Sequence, residues 1–476
     1  MLARDPQYRA RTQPPPAMPD APRLDRRDLI KLGMLGLGAA ATGGLAGCAP
    51  GARAASGKRP SLGPAPEAFL AAPPMETVRI GFVGVGLQGG SHVRNFLKVD
   101  GVEVVAICDI DAPRAQEVAS WVTADGRPVP TLYTDGEHDY ERMCDSEDLD
   151  LVFIATPWRW HVPQCVYAME TGSHAATEVP AAYTLDDCWR LVEVAEAQQK
   201  HCVMMENCNY DRPEMLVFHL AKQGLLGEIL HAECGYLHDL RAIKFSDANE
   251  GLWRLEHSTL RDANLYPTHG LGPVANVMDI NRGDQFSYLV SMSSPSRGLQ
   301  DYAAEHLPPG DPRRDQTYVL GDVNVCLIKT ENGRTIYVSH DTNLPRPYSR
   351  IHMVQGSKGI FQGYPNRLHI EGVSPAHRWE AWEDVLARYD HPLWKDLEEM
   401  SAGAGHGGMD FLEDYRLIQC LREGLPTDMN VYDAAALSAV QPLTEWSNAN
   451  GSQPAAFPDF TPGRWRTNPP LGIVRA

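Results

Sequence analysis

The sequence predicts an α/β protein: an N-terminal Rossmann-type, doubly wound parallel sheet, then a C-terminal α/β domain with a mostly antiparallel open sheet. Three observations carry this. Gly84, Gly86 and Gly89 form G-x-G-x-x-G directly after an apolar run containing Ile80, Phe82 and Val83, and a second run, Val102–Ile107, leads to Asp109. Apolar strands then alternate with amphipathic helices as far as about Met205. Past Tyr210 the pattern changes to strands joined by turns, most clearly Glu331-Asn332-Gly333 between Asp322–Lys329 and Arg334–His340.

Each glycine has a separate task. Gly84 permits the tight turn from strand to helix, Gly86 lets backbone amides approach a pyrophosphate, and Gly89 lets the helix pack close on the strand. The helix N-terminus, with its unpaired N–H groups, faces the negative charge. Asp109 stands 20 residues past Gly89. Its carboxylate there can accept from both adenine-ribose hydroxyls and would repel a 2′-phosphate, so NAD is expected over NADP.

Leu149–Ala155 reads as a buried strand ending at Thr156-Pro157, where ligand loops of an open parallel sheet gather. Pro163–Glu170 predicts a helix closed by Gly172, and His174–Glu178 a short strand. Leu185–Lys200 predicts an amphipathic helix capped by Thr184, and Val203–Asn207 another strand tip. In the second half Pro213–Gly224 and Asp410–Gly424 predict helices, and Glu228–Asp239, His352–Gln355 and Arg367–Glu371 predict strands. The tail Pro454–Ala476 is expected to wrap back irregularly. These patterns divide the chain into a nucleotide domain at 77–208 and a substrate domain at 209–476. The open sheet face points to a homodimer.

Residues 1–47 read as a targeting segment. Arg26-Arg27-Asp28-Leu29-Ile30-Lys31 is a twin-arginine pattern, and Leu45-Ala46-Gly47-Cys48 resembles a bacterial lipobox. Between them Leu32–Ala46 is weakly apolar and shorter than the roughly 20 residues of a membrane span. Export by the twin-arginine route is expected, to the periplasm or to a membrane through lipid on Cys48, with 48–76 as a linker. Ten cysteines without a C-x-x-C pair fit buried free thiols, which a route exporting folded protein tolerates. A net charge of −18 without a basic stripe excludes a nucleic-acid partner. Asp135–Asp139 reads as a solvated acidic turn, and no metal is expected.

A Rossmann unit followed by an antiparallel domain resembles the Gfo/Idh/MocA oxidoreductases. Their Glu-Lys-Pro strand tip corresponds to Glu178-Val179-Pro180, so the lysine that assists hydride transfer in many of them is replaced by Val179. Leu265 stands where an Asp usually precedes His269 by four residues. Trp158-Arg159-Trp160-His161, Glu206-Asn207, Tyr236–Arg241, Tyr266-Pro267-Thr268-His269-Gly270, Arg346-Pro347-Tyr348 and Gly403–Asp410 follow in order. Together they resemble glycoside hydrolase family 109, whose characterised members are NAD-dependent α-N-acetylgalactosaminidases. The likeness runs from about Val78 to Trp465.

The resemblance implies NAD contacts from Leu87, Gln88, Asp109, Trp158, Arg159, Trp160, His161, Glu178, Val179 and Asn207, beside the three glycines. It implies sugar contacts from Tyr236, Arg254, Tyr266, Pro267, Thr268, His269 and Tyr348. Tyr266 and His269 are the expected proton-transfer pair, Glu178 is expected to orient sugar or cofactor, and Tyr210 and His406 are further candidates. Each has a plainer alternative: Trp158 and Trp160 as core aromatics, Arg254 as an ion pair, Tyr348 as a loop anchor.

Most glycosidases use two carboxylates, and NAD-dependent hydrolases are an exception. Oxidising the sugar C3 hydroxyl acidifies the C2 proton; its removal expels the C1 aglycone, water adds, and C3 is reduced again. Net hydrolysis of a glycan or glycoconjugate follows, with NAD regenerated in place. That suits a periplasm, which has no NAD pool. The alternatives are an exported sugar oxidoreductase with tightly bound NAD(P), and a non-catalytic sugar-binding lipoprotein.

Overall fold

β1 (Val78–Val83) buries all but Arg79, as a strand covered on both faces must. It lies inside a six-stranded sheet with β2 (Val102–Cys108), β3 (Thr131–Tyr133), β4 (Leu151–Ile154), β5 (His174–Thr177) and β6 (Cys202–Met204). The order is β3-β2-β1-β4-β5-β6 and every pair is parallel. Strand order reverses between β1 and β4, which opens the crevice where open α/β sheets bind ligands. α1 (Leu87–Phe96), α2 (Ala112–Ala124), α3 (Asp139–Ser146), α4 (His161–Glu170) and α5 (Leu185–Gln198) connect the strands. Thr184 caps α5 as expected, accepting from Asp187 N at 3.1 Å.

The computed structural model describes residues 69–475. The twin-arginine pair, Leu32–Ala46, Cys48 and most of the expected linker lie outside them. The linker's end differs from expectation. Phe69 and Ala72 are buried, Ala72 N donates to His201 Nε2 at 3.3 Å, and Phe69 packs 5.9 Å from the Tyr432 ring. One aromatic with a place in the core outweighs a Pro-rich composition.

The second sheet has eight strands in the order β13-β12-β11-β7-β10-β9-β8-β14. These are β7 (Ile229–Leu237), β8 (Phe286–Ser293), β9 (Asn324–Thr330), β10 (Thr335–Asp341), β11 (Met353–Gly356), β12 (Gly359–Gln362), β13 (Arg367–Ile370) and β14 (Ala455–Ala456). Only β7 and β10 pair in parallel. The expected hairpin at Glu331-Asn332-Gly333 joins β9 to β10. β9 begins at Asn324 because the Asp322 carboxylate instead accepts from Arg297 N at 2.8 Å and Gly298 N at 3.0 Å. The tail contributes β14, an addition to the irregular course expected for it. Tyr288, Met292 and Leu327 stay exposed on β8 and β9.

Four further helices matter for the site: α6 (Arg212–Lys222), α7 (Gly251–Leu260), α8 (Thr268–Val277) and α9 (Met409–Glu423). α9 packs against α1 and α8 against β7. The nine cysteines among the described residues are all buried and free.

Candidate active site

The turn after β1 is shaped for a dinucleotide. Gly84 has φ +82°, and a Cβ on Gly89 would stand 2.0 Å from the Gly84 carbonyl oxygen, so both positions exclude a side chain. Gly86 faces open space at the N-terminus of α1, with nothing within 4 Å of where its Cβ would be. Asp109 accepts from Val85 N and Asp111 N, each at 2.8 Å, which fixes its carboxylate beside the turn. Arg114, not singled out by sequence, clamps the same turn through the Val85 carbonyl at 2.7 Å and the Gly86 carbonyl at 2.8 Å. Leu87 is exposed at the first position of α1. The residues present therefore fit a dinucleotide.

The four residues after β4 separate. Trp158 is buried and stacks on Tyr266 with centroids 5.8 Å apart. Arg159 points to the surface, pairing with Glu137 at 2.8 Å, and Trp160 meets His138 edge-on at 5.2 Å. His161 is buried, its ring nitrogens 2.8 Å from the Pro180 carbonyl and 2.7 Å from that of Thr156. It ties the exits of β4 and β5 together.

Beneath that exit lies a cluster of acids and imidazoles. Glu178 Oε1 meets His92 Nε2 at 2.7 Å, and Val179, itself buried, donates its N–H to Glu178 Oε2 at 3.3 Å. Asp410, on the first turn of α9, gathers three expected site residues: Asn207 Nδ2 at 2.7 Å, His406 Nδ1 at 2.8 Å and Gln88 Nε2 at 3.3 Å. Burial pushes the Asp410 carboxyl up, but His406 and Asn207 outweigh it and hold the group at about 2.

The residues expected to contact sugar converge from β7, α7, α8 and the loop after β10. Tyr236 lies 4.7 Å from Tyr266, 5.3 Å from His269 and 6.1 Å from Tyr348, ring to ring. Tyr266 and His269 meet edge-on at 4.8 Å. The Arg254 guanidinium stands 5.2 Å from the Tyr266 ring and 5.4 Å from Trp158 while pairing with Glu250 at 2.7 Å. Tyr348 accepts from Arg350 at 2.9 Å, and Arg350 is anchored on Glu214 and Asp211. Two glycines bring α8 this close: a Cβ on Gly270 would stand 2.4 Å from Gly235 N, and one on Gly272 2.9 Å from Glu206 Cγ. Pro267 immediately precedes α8, and Thr268 is buried in its first turn.

Glu206, fully buried, is the main residue that sequence reasoning left without a role. Its Oε1 accepts from His269 Nδ1 at 2.7 Å and from Cys208 N at 3.1 Å. Burial raises its pKa, yet the charge and hydrogen bond of His269 outweigh that and keep it below the ordinary carboxylate value. An ionised carboxylate only accepts, so Nδ1 carries a hydrogen and Nε2 is turned away from Glu206. Nε2 has no hydrogen-bond partner among the described residues. Burial pushes the Tyr266 phenol up against the opposing charge of Arg254, so it keeps its proton. An imidazole backed by a carboxylate and a protonated phenol thus stand side by side.

Tyr210 is drawn elsewhere: its hydroxyl donates to Asp428 at 3.1 Å, and Arg416 holds that carboxylate. Glu206, Cys208 and His269 place ligand-type atoms within 4.8 Å of one another. That group is closed by its own hydrogen bonds, the Cys208 thiol donating to Asn207 Oδ1 at 3.4 Å, and burial pushes the thiol up.

A Rossmann crevice beside a cluster of tyrosines, an imidazole and a buried carboxylate is the arrangement of a dinucleotide-dependent enzyme. Residues 78–206 match the NAD-binding Rossmann fold of an oxidoreductase family, and residues 210–467 match the C-terminal domain of glycosyl hydrolase 109. A glycosyl hydrolase family 109 protein of Shewanella pealeana is 47% identical over 458 residues, covering 95% of this chain and 99% of its own. One from Solibacter usitatus is 46% identical over 453 residues, 94% of this chain and 100% of its own. The chain belongs to glycosyl hydrolase family 109, and its cofactor is NAD. Among solved structures, levoglucosan dehydrogenase in complex with NADH matches 80% of this chain and 100% of its own, at TM-score 0.61 and 19% identity. Myo-inositol 2-dehydrogenase of Lactobacillus plantarum matches 80% and 100%, at TM-score 0.56 and 16% identity. These two share the fold.

Proposed function

We propose that the enzyme hydrolyses terminal α-linked N-acetylgalactosamine from glycoconjugates by oxidation, elimination, water addition and reduction. The observation that carries this reading is the Glu206–His269–Tyr266 arrangement, a buried carboxylate behind an imidazole whose other nitrogen is free, beside a protonated phenol. Gly84–Gly89, Asp109 and the residues around Glu178 would hold NAD, which when bound supplies reversible oxidation at the sugar C3. His269 Nε2 takes the C2 proton, and Glu206 stabilises the imidazolium that forms. Tyr266 donates a proton to the departing C1 oxygen. Tyr236 and Tyr348 flank the sugar, and Arg254 places a cation near its oxygens.

A panel of chromogenic α- and β-glycosides with NMR of the products tests the reading. Aglycone release with free N-acetylgalactosamine as the sole sugar product supports it. Accumulation of an oxidised sugar would point instead to an oxidoreductase.

Export and lipid anchoring belong to the same proposal, on Arg26-Arg27 and Cys48. Replacing both arginines by lysine is expected to leave the precursor in the cytoplasm; unchanged export would refute the twin-arginine assignment. Pairing through the exposed Tyr288, Met292 and Leu327 face is also proposed, and sedimentation of a Leu327→Glu variant as a monomer would support it.

A further inference from the structure

Glu178 follows the end of β5 with its side chain 17% exposed, and one of its oxygens is bound by a fully buried imidazole. His92, on α1, meets Glu178 Oε1 at 2.7 Å through Nε2 and both oxygens of Asp414 at 2.8 and 2.9 Å through Nδ1. Asn95 donates to the same Asp414 at 3.0 Å, and the Phe153 ring covers the imidazole at 4.5 Å. Burial pushes Asp414 up to about 6 against the opposing His92 and Asn95, so above that pH it only accepts. Two accepting carboxylates, one on each ring nitrogen, are both satisfied only when the ring carries both protons.

We propose that His92 is a positioning residue, an imidazolium locked by Asp414 that fixes the orientation of the Glu178 carboxylate at the end of β5. This rests on the function proposed above and on the expected role of Glu178 in orienting sugar or cofactor. Burial lowers the His92 pKa, but the charges and hydrogen bonds of Asp414 and Glu178 more than reverse that. The other polar and titratable groups facing it are Gln88 on α1, Asp410 and Glu413 on α9, and His406 before α9. Glu413 has both carboxyl oxygens buried without a partner, and burial raises it well above the carboxylate range, so it faces the cluster neutral.

The test uses the full chain purified with its nucleotide. His92→Gln is expected to lower kcat by about 10- to 100-fold, the size of a lost charge-assisted hydrogen bond. KM and bound NAD should be unchanged. His92→Gln added to Glu178→Gln should cost nothing further, because His92 acts through Glu178. Asp414→Asn, closer in shape, should lower kcat the same way by less with KM unchanged, so the test survives a poorly folding His92 variant. Wild-type kcat in both variants, or a His92→Gln loss that multiplies with that of Glu178→Gln, would overturn the proposal. Wild-type turnover of Glu178→Gln alone would overturn the expected role of Glu178. Isotope exchange at C2 judges the proposed reaction route separately.

Discussion

Replacing Glu206 by Gln removes one charge from a fully buried site while keeping nearly the same shape. The affected bond is the 2.7 Å contact from His269 Nδ1, and the amide oxygen can still accept from Cys208 N. A hydrogen bond to a charged group contributes about 1.5–3 kcal/mol, and at about 1.4 kcal/mol per tenfold in rate this is roughly a 10- to 160-fold loss of kcat. The loss falls on the step in which His269 becomes cationic, so KM and NAD content should stay near wild type. The assay is kcat and KM on a chromogenic α-N-acetylgalactosaminide, with nucleotide measured by mass spectrometry after denaturation. A kcat within twofold of wild type would refute the assignment of His269 as a base poised by Glu206.

His269→Ala should cost about 10²- to 10⁴-fold in turnover with NAD retained; near-normal turnover would move the base to another residue. Asp109→Asn should leave the purified protein largely free of NAD, since the ribose loses its charged acceptor; full NAD occupancy in that variant would contradict the reading of the turn. Asp410, held at about 2 against an ordinary 3.8, contributes stability that is complete above about pH 4 and lost as pH falls toward 2. Wild type and Asp410→Asn should therefore converge in Tm between pH 4 and pH 2, and a constant gap across that window would show that Asp410 does not carry the effect.

The nucleotide turn was legible because its logic is local: Gly84 and Gly86 lie in the turn after β1, Gly89 in the first turn of α1 and Asp109 just past the adjoining β2, and their spacing reports the geometry. The cap at Thr184 and the hairpin at Asn332-Gly333 were readable for the same reason. Strand ends were less so, since Asp322 is captured by the backbone of Arg297 and Gly298, which no periodicity reveals. The partners that tune the site were hidden by distance along the chain. Glu206 and His269 are 63 residues apart, and His92 and Asp414 are 322 apart. The packing of α8 on the turn Asn207–Tyr210, and of α9 on α1, brings them together. Arg159, Tyr210 and the end of the linker show the converse, with residue type and motif position clear while a surface acid, a buried Asp428 and an aromatic pocket decide where each goes.

The central claim is that the C2–H bond of the sugar breaks and re-forms during hydrolysis. Turnover in deuterated water, followed by NMR of the released sugar, tests this most directly, with substrates deuterated at C2 and at C3 compared for rate. Exchange of the proton on His269 with solvent before its return predicts deuterium at C2, together with a primary isotope effect at C2 or C3. A product without deuterium at C2 and the absence of an isotope effect at both positions would contradict the account and assign the enzyme to direct displacement at C1.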